Sequence, residues 1–506
     1  MQGKLSVGSK PCKVERQMKP HQEVSTGYQA DFFRTELSRL LDPKHPMVKV
    51  AAGMDWEAFE TALEKTGHPE LGRPGVSTRL MVSLQYLKYV HDLSDEGVLA
   101  MWVENPYWQH LSGMKFFEHQ APIEASSLSR WRKRLAKVGA EKLLEETLKA
   151  GLRMKLIQPR QLERINVDTT VQEKHVRFPT DTRLYERARA GLVRLAKRRG
   201  LKLRQSYERV GKQLMLKQSR YAHARQYKRA GKCTKKLKTF LGRVIRDIQR
   251  KSHKADKELS QHLKQAQRIY EQQRKDKGKV YSVHAPEVEC ISKGKAHKRY
   301  EFGVKVSVGT SSRGGWHVAA QAHPGNPYDG HTLKETLEQV RRMVGDRVKQ
   351  VFVDRGYRGH GYEGEIEVHV DKQRKGKTAK RLWKWMKRRA VVEPGISHLK
   401  HGHRMNRNRL KGTQGDQLNA VLSAAGMNFR KLLKQAAKPW RYIRWMLKQA
   451  ETQLHMLFNP NTAVQPRSPN RKRLFQHRLL SRSWETSQAS LFFGCRPDCG
   501  WPPSVE

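Results

Sequence analysis

Arg164-Ile165-Asn166-Val167-Asp168-Thr169-Thr170 and Gln350-Val351-Phe352-Val353-Asp354 are two short, partly β-branched runs, each with an aspartate at or next to its end. Runs of this kind read as strands. A carboxylate there is badly placed for core packing, whereas in open α/β sheets the C-terminal ends of strands are where ligands bind. Taken singly, either aspartate is also an ordinary turn former. The setting argues for chemistry, because acids are scarce here: 101 Lys and Arg stand against 48 Asp and Glu in 506 residues, a formal charge of +53.

Outward from these strands, Tyr300 to Val308 alternates, and His317 to Ala322 is its candidate partner across a turn at Ser311 to Gly315. Thr332 to Val344 reads as a helix closed by Gly345. Glu365 to Val370 is another short strand. Basic helices are expected from Thr378 to Arg389 and from Pro394 onward, and a further helix from Leu418 to Leu432. A basic insert at about 183–278 separates the two aspartates. Leu237, Phe240, Leu241, Val244, Ile245 and Ile248 make one helical stripe in it; Leu259, Leu263, Ala266, Ile269 and Tyr270 make another. Not one acid lies between Glu208 and Asp247, so the cations there lack local partners, which favours phosphate contact over a self-balanced surface. The order of elements predicts an α/β fold: a mixed-sheet core interrupted by one helical insertion and preceded by an all-α N-terminal domain.

In that N-terminal region Leu80, Leu84, Leu87 and Val90 share a helical face. Ser94-Asp95-Glu96-Gly97 reads as a turn and Val98 to Val103 as a short helix. Ser126-Ser127 can cap a third helix that carries Arg130, Arg132, Lys133 and Arg134. This succession fits a helix-turn-helix-like DNA-binding domain; a plain helical scaffold fits it too. The expected organisation is a disordered basic lead-in at 1–27, the helical domain at 28–158, the catalytic core at 159–435 with its insert, and a basic, partly disordered tail at 436–506.

The charge calls for a polyanionic partner, DNA or RNA. No apolar run is long enough to span a bilayer, and Met1 to Lys19 is polar and basic, so a membrane partner is not expected. The five cysteines (Cys12, Cys233, Cys290, Cys495 and Cys499) form no disulfide framework, which points to a reducing cytoplasm. Cys495 and Cys499 lack a second flanking Cys/His pair and read as ordinary tail residues, not a zinc site.

Phosphodiester cleavage gathers negative charge on the attacking and leaving oxygens, and two divalent ions can stabilise both. Mg²⁺ takes hard oxygen ligands, so three carboxylates suffice. Glu393 is the candidate third acid, seven residues before Lys400 and so on one helical face with it. Pro394 leaves two options open: Glu393 as the helix entry with Arg389 outside it, or a kinked helix through the proline. Asp329 with His331 reads as the cap of the following helix, and Glu173 and Lys174 as a solvated loop after the first strand. Trp383, Trp385, Trp440 and Trp445 read as packing residues more than as platforms for bases.

Four stretches together carry a family resemblance. They are Val167 to Lys174; His284 to Cys290 with Tyr300 to Val306; Gly325 to Thr332 with Val353 to Gly359; and Arg389 to Lys400 with His403-Arg404-Met405. From about residue 30 to about 435 the chain resembles the DDE transposases of bacterial insertion sequences, of the insertion-sequence-five type within the insertion-sequence-four-like group. The resemblance implies an RNase H-like core, with Asp168, Asp354 and Glu393 as catalytic and metal-holding acids. It implies two Mg²⁺ ions, with Mn²⁺ able to stand in. The DNA partners would be terminal inverted repeats and target DNA, bound by a homodimer in the bacterial cytoplasm at the nucleoid. Arg389 and Lys400 would hold terminal phosphates. The family's tyrosine position is Met386 here, which removes that contact. The tail after about Ala437 matches nothing in the family. A sequence-specific DNA-binding protein, or a catalytically inactive transposase copy, is the alternative.

Overall fold

The computed structural model describes residues 34–63, 76–135, 137–252, 257–273, 275–292, 298–371 and 380–437. The chain divides into two compact units, Met1–Lys438 and Pro439–Glu506, and the second lies outside the described residues. The lead-in at 1–27, nearly all of the tail, Cys12, Cys495, Cys499, Trp440 and Trp445 lie outside them as well.

Among the described residues eight α-helices precede the sheet: α1 (Leu37–Leu40), α2 (Pro46–Gly53), α3 (Glu57–Leu63), α4 (Thr78–Val90), α5 (Asp95–Glu104), α6 (Pro106–Leu111), α7 (Ala125–Arg134) and α8 (Lys137–Arg153). Ser94 does not sit in a turn; its hydroxyl accepts from Gly97 N and caps α5, which begins at Asp95. Ser126 and Ser127 lie inside the first turn of α7, after Glu124, and both hydroxyls accept from Arg130.

The first strand, β1 (Arg164–Glu173), leads into four helices: α9 (Asp181–Arg198), α10 (Glu208–His223), α11 (Tyr227–Lys251) and α12 (Lys257–Glu271). They close over a core of their own, built from Leu184, Leu192, Leu237, Leu241, Ile245 and Ile269 among others. The amphipathic stripes of α11 and α12 meet α9 there. Next come β2 (Glu289–Ile291), β3 (Glu301–Ser311), β4 (His317–His323), α13 (Leu333–Val344), β5 (Gln350–Val353), β6 (Glu367–Val370), α14 (Lys380–Arg388), α15 (Val392–Gly402) and α16 (Gly412–Ala436). Gly345 ends α13 at φ 64°, as expected of a helix-closing glycine.

The sheet runs β2-β3-β1-β5-β6, with β4 also on β3. Strand β1 is antiparallel to β3 and parallel to β5, and β5 is parallel to β6. The architecture is therefore mixed α/β. Helix α16 is buried over most of its length and packs against α4, α8 and β4. One hydrophobic core consequently spans the N-terminal helices and the sheet: Leu84, Leu144 and Phe429 belong to the same cluster as Val167 and Val351. The front helices are not a separately packed body.

Candidate active site

Asp168 is partly exposed on β1, the strand between an antiparallel and a parallel neighbour. Its Oδ1 accepts from Thr169 N at 2.7 Å. The parallel register pairs Ile165 with Val351 and Asn166 with Phe352. Continued two residues past its last pair, the same register sets Asp354 beside Asp168. Asp354 follows β5 directly, and its Oδ1 accepts from Gly356 N at 3.0 Å, capping a 3₁₀ turn at Arg355–Tyr357. The β5–β6 register pairs Val353 with Val370, so Asp371 follows in line, and its N–H donates to Val353 O at 3.1 Å. Three adjacent parallel strands thus each carry an aspartate at one level. Glu367-Val368-His369-Val370-Asp371 has the same strand-then-aspartate pattern as the other two, a signal the sequence reading passed over.

Side chains alternate along a strand, so Asp168 shares its face with Asn166. The Asn166 amide donates to Arg388 O at 3.2 Å, just before α15, and α15 packs on β1 and β3. The helix bearing Glu393 therefore crosses Asp168's face. Helical backbone begins earlier than Pro394: a 3₁₀ turn at Arg389–Val391 runs straight into α15, making Glu393 its second residue and Pro394 its third. A proline in the first turn removes an N–H that has no helical partner anyway, so no kink is needed. Glu393 is exposed and Arg389 is half-buried in the preceding turn. Lys400, one face with Glu393, has its Nζ 4.0 Å from Glu301 of β3.

Asp329, read from the sequence as a helix cap, lies beside the candidate acids. Its carboxylate caps nothing; Oδ1 accepts from Thr169 Oγ1 at 3.1 Å and from Lys305 Nζ at 2.9 Å. A Cβ on Gly356 would stand 3.1 Å from Asp354 Oδ1 and 3.2 Å from Asp329 Oδ2, so these two carboxylates flank that glycine. The buried Tyr357 hydroxyl, with Thr332 beside it, is pushed well above its ordinary value by burial first, then by the charges of Asp168, Asp329 and Asp354. Negative charge is concentrated here, inside a strongly cationic chain.

The donors are hard oxygens, as Mg²⁺ requires. Among the described residues no three His, Cys, Asp or Glu side chains are grouped so as to hold a metal ion. Two adjacent aspartates still fit, because Mg²⁺ is commonly held by one or two carboxylates completed by water and substrate phosphate.

Two expectations are corrected. Arg132 is 5% exposed and forks onto Asp95, with Nη1 to Oδ1 at 2.7 Å and Nη2 to Oδ2 at 2.5 Å, while Lys88 Nζ reaches Oδ1 at 2.6 Å. It ties α7 to α5 and has no free fork for DNA, unlike the exposed Arg130 and Lys133 on the same helix; Arg134 is half-buried. Glu173 and Lys174 are not a solvated loop. Strand β1 runs on through Glu173, which pairs with Lys298, and the buried Lys174 pairs with Asp416 and Glu287, both at 2.7 Å.

A transposase DDE domain matches residues 279–429, and a transposase domain designated DUF772 matches residues 35–134. An uncharacterized protein of Rhizobium meliloti, ORF8 in the nfe locus, is 49% identical over 197 residues, which are 39% of this chain and 95% of the relative. The chain belongs to the DDE transposases. No solved structure matches it. This transposase is an enzyme of DNA transposition and recombination, with DNA as its substrate, in a family that generally uses divalent metals. The DDE match holds Asp329, Asp354, Asp371 and Glu393; Asp168 and helices α9 to α12 fall between the two matched segments. Among the described residues no helix is long and apolar enough to cross a membrane.

Proposed function

We propose that this transposase hydrolyses DNA at the ends of an insertion sequence of the insertion-sequence-five type and joins the freed ends to target DNA. The observation that carries the reading is the parallel β1–β5 register, which aligns Asp168 with Asp354 on the face crossed by α15. Four strands joined by antiparallel pairings and then β5 and β6 parallel to β1, with acids at one level, support an RNase H-like core. Asp168, Asp354 and Glu393 would hold two Mg²⁺ ions, or Mn²⁺ in their place. When bound, such ions supply Lewis-acid stabilisation of charge on the attacking and leaving oxygens.

The chain's own residues position. Asp354 is fixed by the Gly356 N–H, and Asp329 is fixed by Lys305 and Thr169 beside it. Arg389 presents a planar fork suited to a terminal phosphate, and Lys400 a point charge on the Glu393 face. Exposed Arg130 and Lys133, with Arg134, offer further phosphate contacts on α7. Water is the first nucleophile and frees a DNA 3′-hydroxyl. That hydroxyl then displaces a 3′-oxygen in target DNA, so one phosphodiester forms as one breaks and no protein–DNA bond is made. A homodimer would engage both inverted repeats, in the bacterial cytoplasm at the nucleoid.

The test is cleavage of DNA carrying the element's ends, with Mg²⁺, by wild type and by Asp168→Ala, Asp354→Ala and Glu393→Ala. Each variant is expected to bind the ends and fail to cut them. A variant that cuts normally removes its residue from the assignment. If all three cut normally, the metal-acid reading fails.

A further inference from the structure

Trp385, on α14, is 9% exposed and is surrounded by guanidinium groups. Arg164, Arg313 and Arg388 place their Cζ atoms 4.9, 5.0 and 5.2 Å from the ring centroid. A ring has only two faces, so three cations around it crowd one another. Arg164 is partly neutralised: it donates to Gln350 Oε1 at 2.8 Å and lies 3.6 Å from Glu163. Among the described residues, the Arg313 and Arg388 side chains have neither a hydrogen-bonding nor an ion-pair partner. Stacking uses the flat face of a guanidinium and leaves its N–H edge available to donate.

These two arginines open onto a cleft of about 540 Å³ between the β3–β4 hairpin, the start of α15 and α16. Lys431, His398 and Thr310 line it too, and among the described residues no carboxylate does. Lys431 is held in place by the carbonyls of Gly314 and Gly315, and burial brings its ammonium down to about 8. Thr310 is 2% exposed, and its hydroxyl has no hydrogen-bond partner among the described residues. A buried hydroxyl without a partner is costly, and uncompensated like charges beside it add to that cost. A tetrahedral oxyanion would offset both. Thr310 lies opposite Asn166 in the β1–β3 register, two residues from Asp168 on the same face, so the cleft adjoins the candidate active site.

We propose that Arg313 and Arg388, stacked on Trp385 and backed by Lys431 and Thr310, form a binding site for backbone phosphates of duplex DNA as it leaves the active site. The inference rests on the functional reading above for where that duplex runs, but its test does not depend on cutting.

The full chain is titrated, without metal, against a short labelled duplex of arbitrary sequence over a range of salt. Arg313→Gln with Arg388→Gln should lower the magnitude of the slope of log affinity against log salt by about 0.9 for each phosphate no longer neutralised. Arg313→Lys with Arg388→Lys keeps the charge and should keep the slope. Lys334→Gln with Arg347→Gln removes two exposed cations from the α13 side of the sheet and should leave the slope near wild type. Thermal melting verifies that each variant is folded. An unchanged slope in the glutamine pair, or an equal change in the α13 control, overturns the site. Protection of the fold by inorganic phosphate with no change of DNA slope would make it a small-anion pocket and also overturn it. If Asp168→Ala still cuts while the slopes move as stated, the catalytic assignment fails and this site stands.

Discussion

At the scale of single residues, the site is framed by buried charges whose partners come from far along the chain. Lys174 joins the end of β1 to Asp416 at the start of α16 and to Glu287 in the segment before β2. Burial first raises the Asp416 carboxyl, to about 6, and Lys174 and Asn408 pull it the other way. Removing the lysine strands the buried Asp416 carboxylate and the half-buried Glu287 beside it, and breaking a buried pair costs about 3–5 kcal/mol. Lys174→Met should therefore lower the unfolding free energy from urea titration by that much near neutral pH, and adding Asp416→Asn should restore part of it. A single variant as stable as wild type would show that the network contributes nothing. Asp95 is the matching case in the helical front, one carboxylate serving both Lys88 and Arg132. It explains why a basic stretch can mislead: Arg130, Arg132, Lys133 and Arg134 look alike in sequence, yet the turn of α7 buries Arg132 and exposes Arg130 and Lys133.

At the scale of elements, α16 sets the geometry. Among the described residues, strand β4 pairs only with β3, leaving its other edge open. Side-chain amides close that edge: Gln417 accepts from Ala322 N, Asn428 accepts from His317 N and donates to His317 O, and Gln339 of α13 accepts from Ala320 N. Covering an edge this way blocks pairing with another chain. On its other side α16 meets α4 so closely that a Cβ on Gly426 would fall 2.6 Å from Tyr89 Cβ and 3.0 Å from Tyr89 backbone carbon. Backbone cannot yield as a side-chain tip can, so Gly426→Ala should cost about 1–3 kcal/mol as overpacking, read as a lowered thermal midpoint; an unchanged midpoint would mean that α4 shifts freely. None of this was legible in the sequence, because α4 and α16 are far apart along the chain and meet only in the folded protein. Local signals survived well: the β-branched runs before Asp168 and Asp354, Gly345 at the close of α13, and the stripes of the insert are each decided within a few neighbouring residues. Asp329 was misread for the same reason that α16 was invisible. Capping is the local use of an aspartate before a helix, and its actual partners, Thr169 and Lys305, come from other elements. Convergence of Glu393 with the aspartates is an expectation of the resemblance; the structure adds only that α15, which carries Glu393, packs on β1 and β3.

At the scale of the whole molecule, a chain of +53 must fold against its own repulsion and then use it. Acid tips the first balance. His403 is buried, donates Nδ1–H to Tyr89 O, and is held down to about 4 chiefly by burial; His317, fully buried, lies well below its ordinary value. The unfolded chain protonates both below about 6.5, so protons favour unfolding and stability falls as pH drops from there toward the folded-state values. Asp416 works in the opposite sense between about 6 and its ordinary value and opposes the histidines there. His403 alone, taken from about 6.5 to about 4, contributes a loss on the order of 3 kcal/mol at about 1.4 kcal/mol per pKa unit. Urea unfolding near neutral pH and again in mild acid reads it, and His403→Gln should flatten the difference. The second balance is struck with DNA. Helix α10 buries only Gly211 among its own residues and exposes Lys212, Lys217 and Arg220, with no acid from Arg209 to Arg246 to neutralise them. Packing gives no reason for such a face, so its cations are free to replace counterions on a duplex. Substituting all three by Gln should leave thermal stability unchanged, because the insert's core is built by α9, α11 and α12. The same substitution should reduce the salt slope of DNA binding by up to about 0.9 per charge. If the triple variant binds with the wild-type slope, the insert does not grip DNA through this helix, and the polyanion must lie along another face.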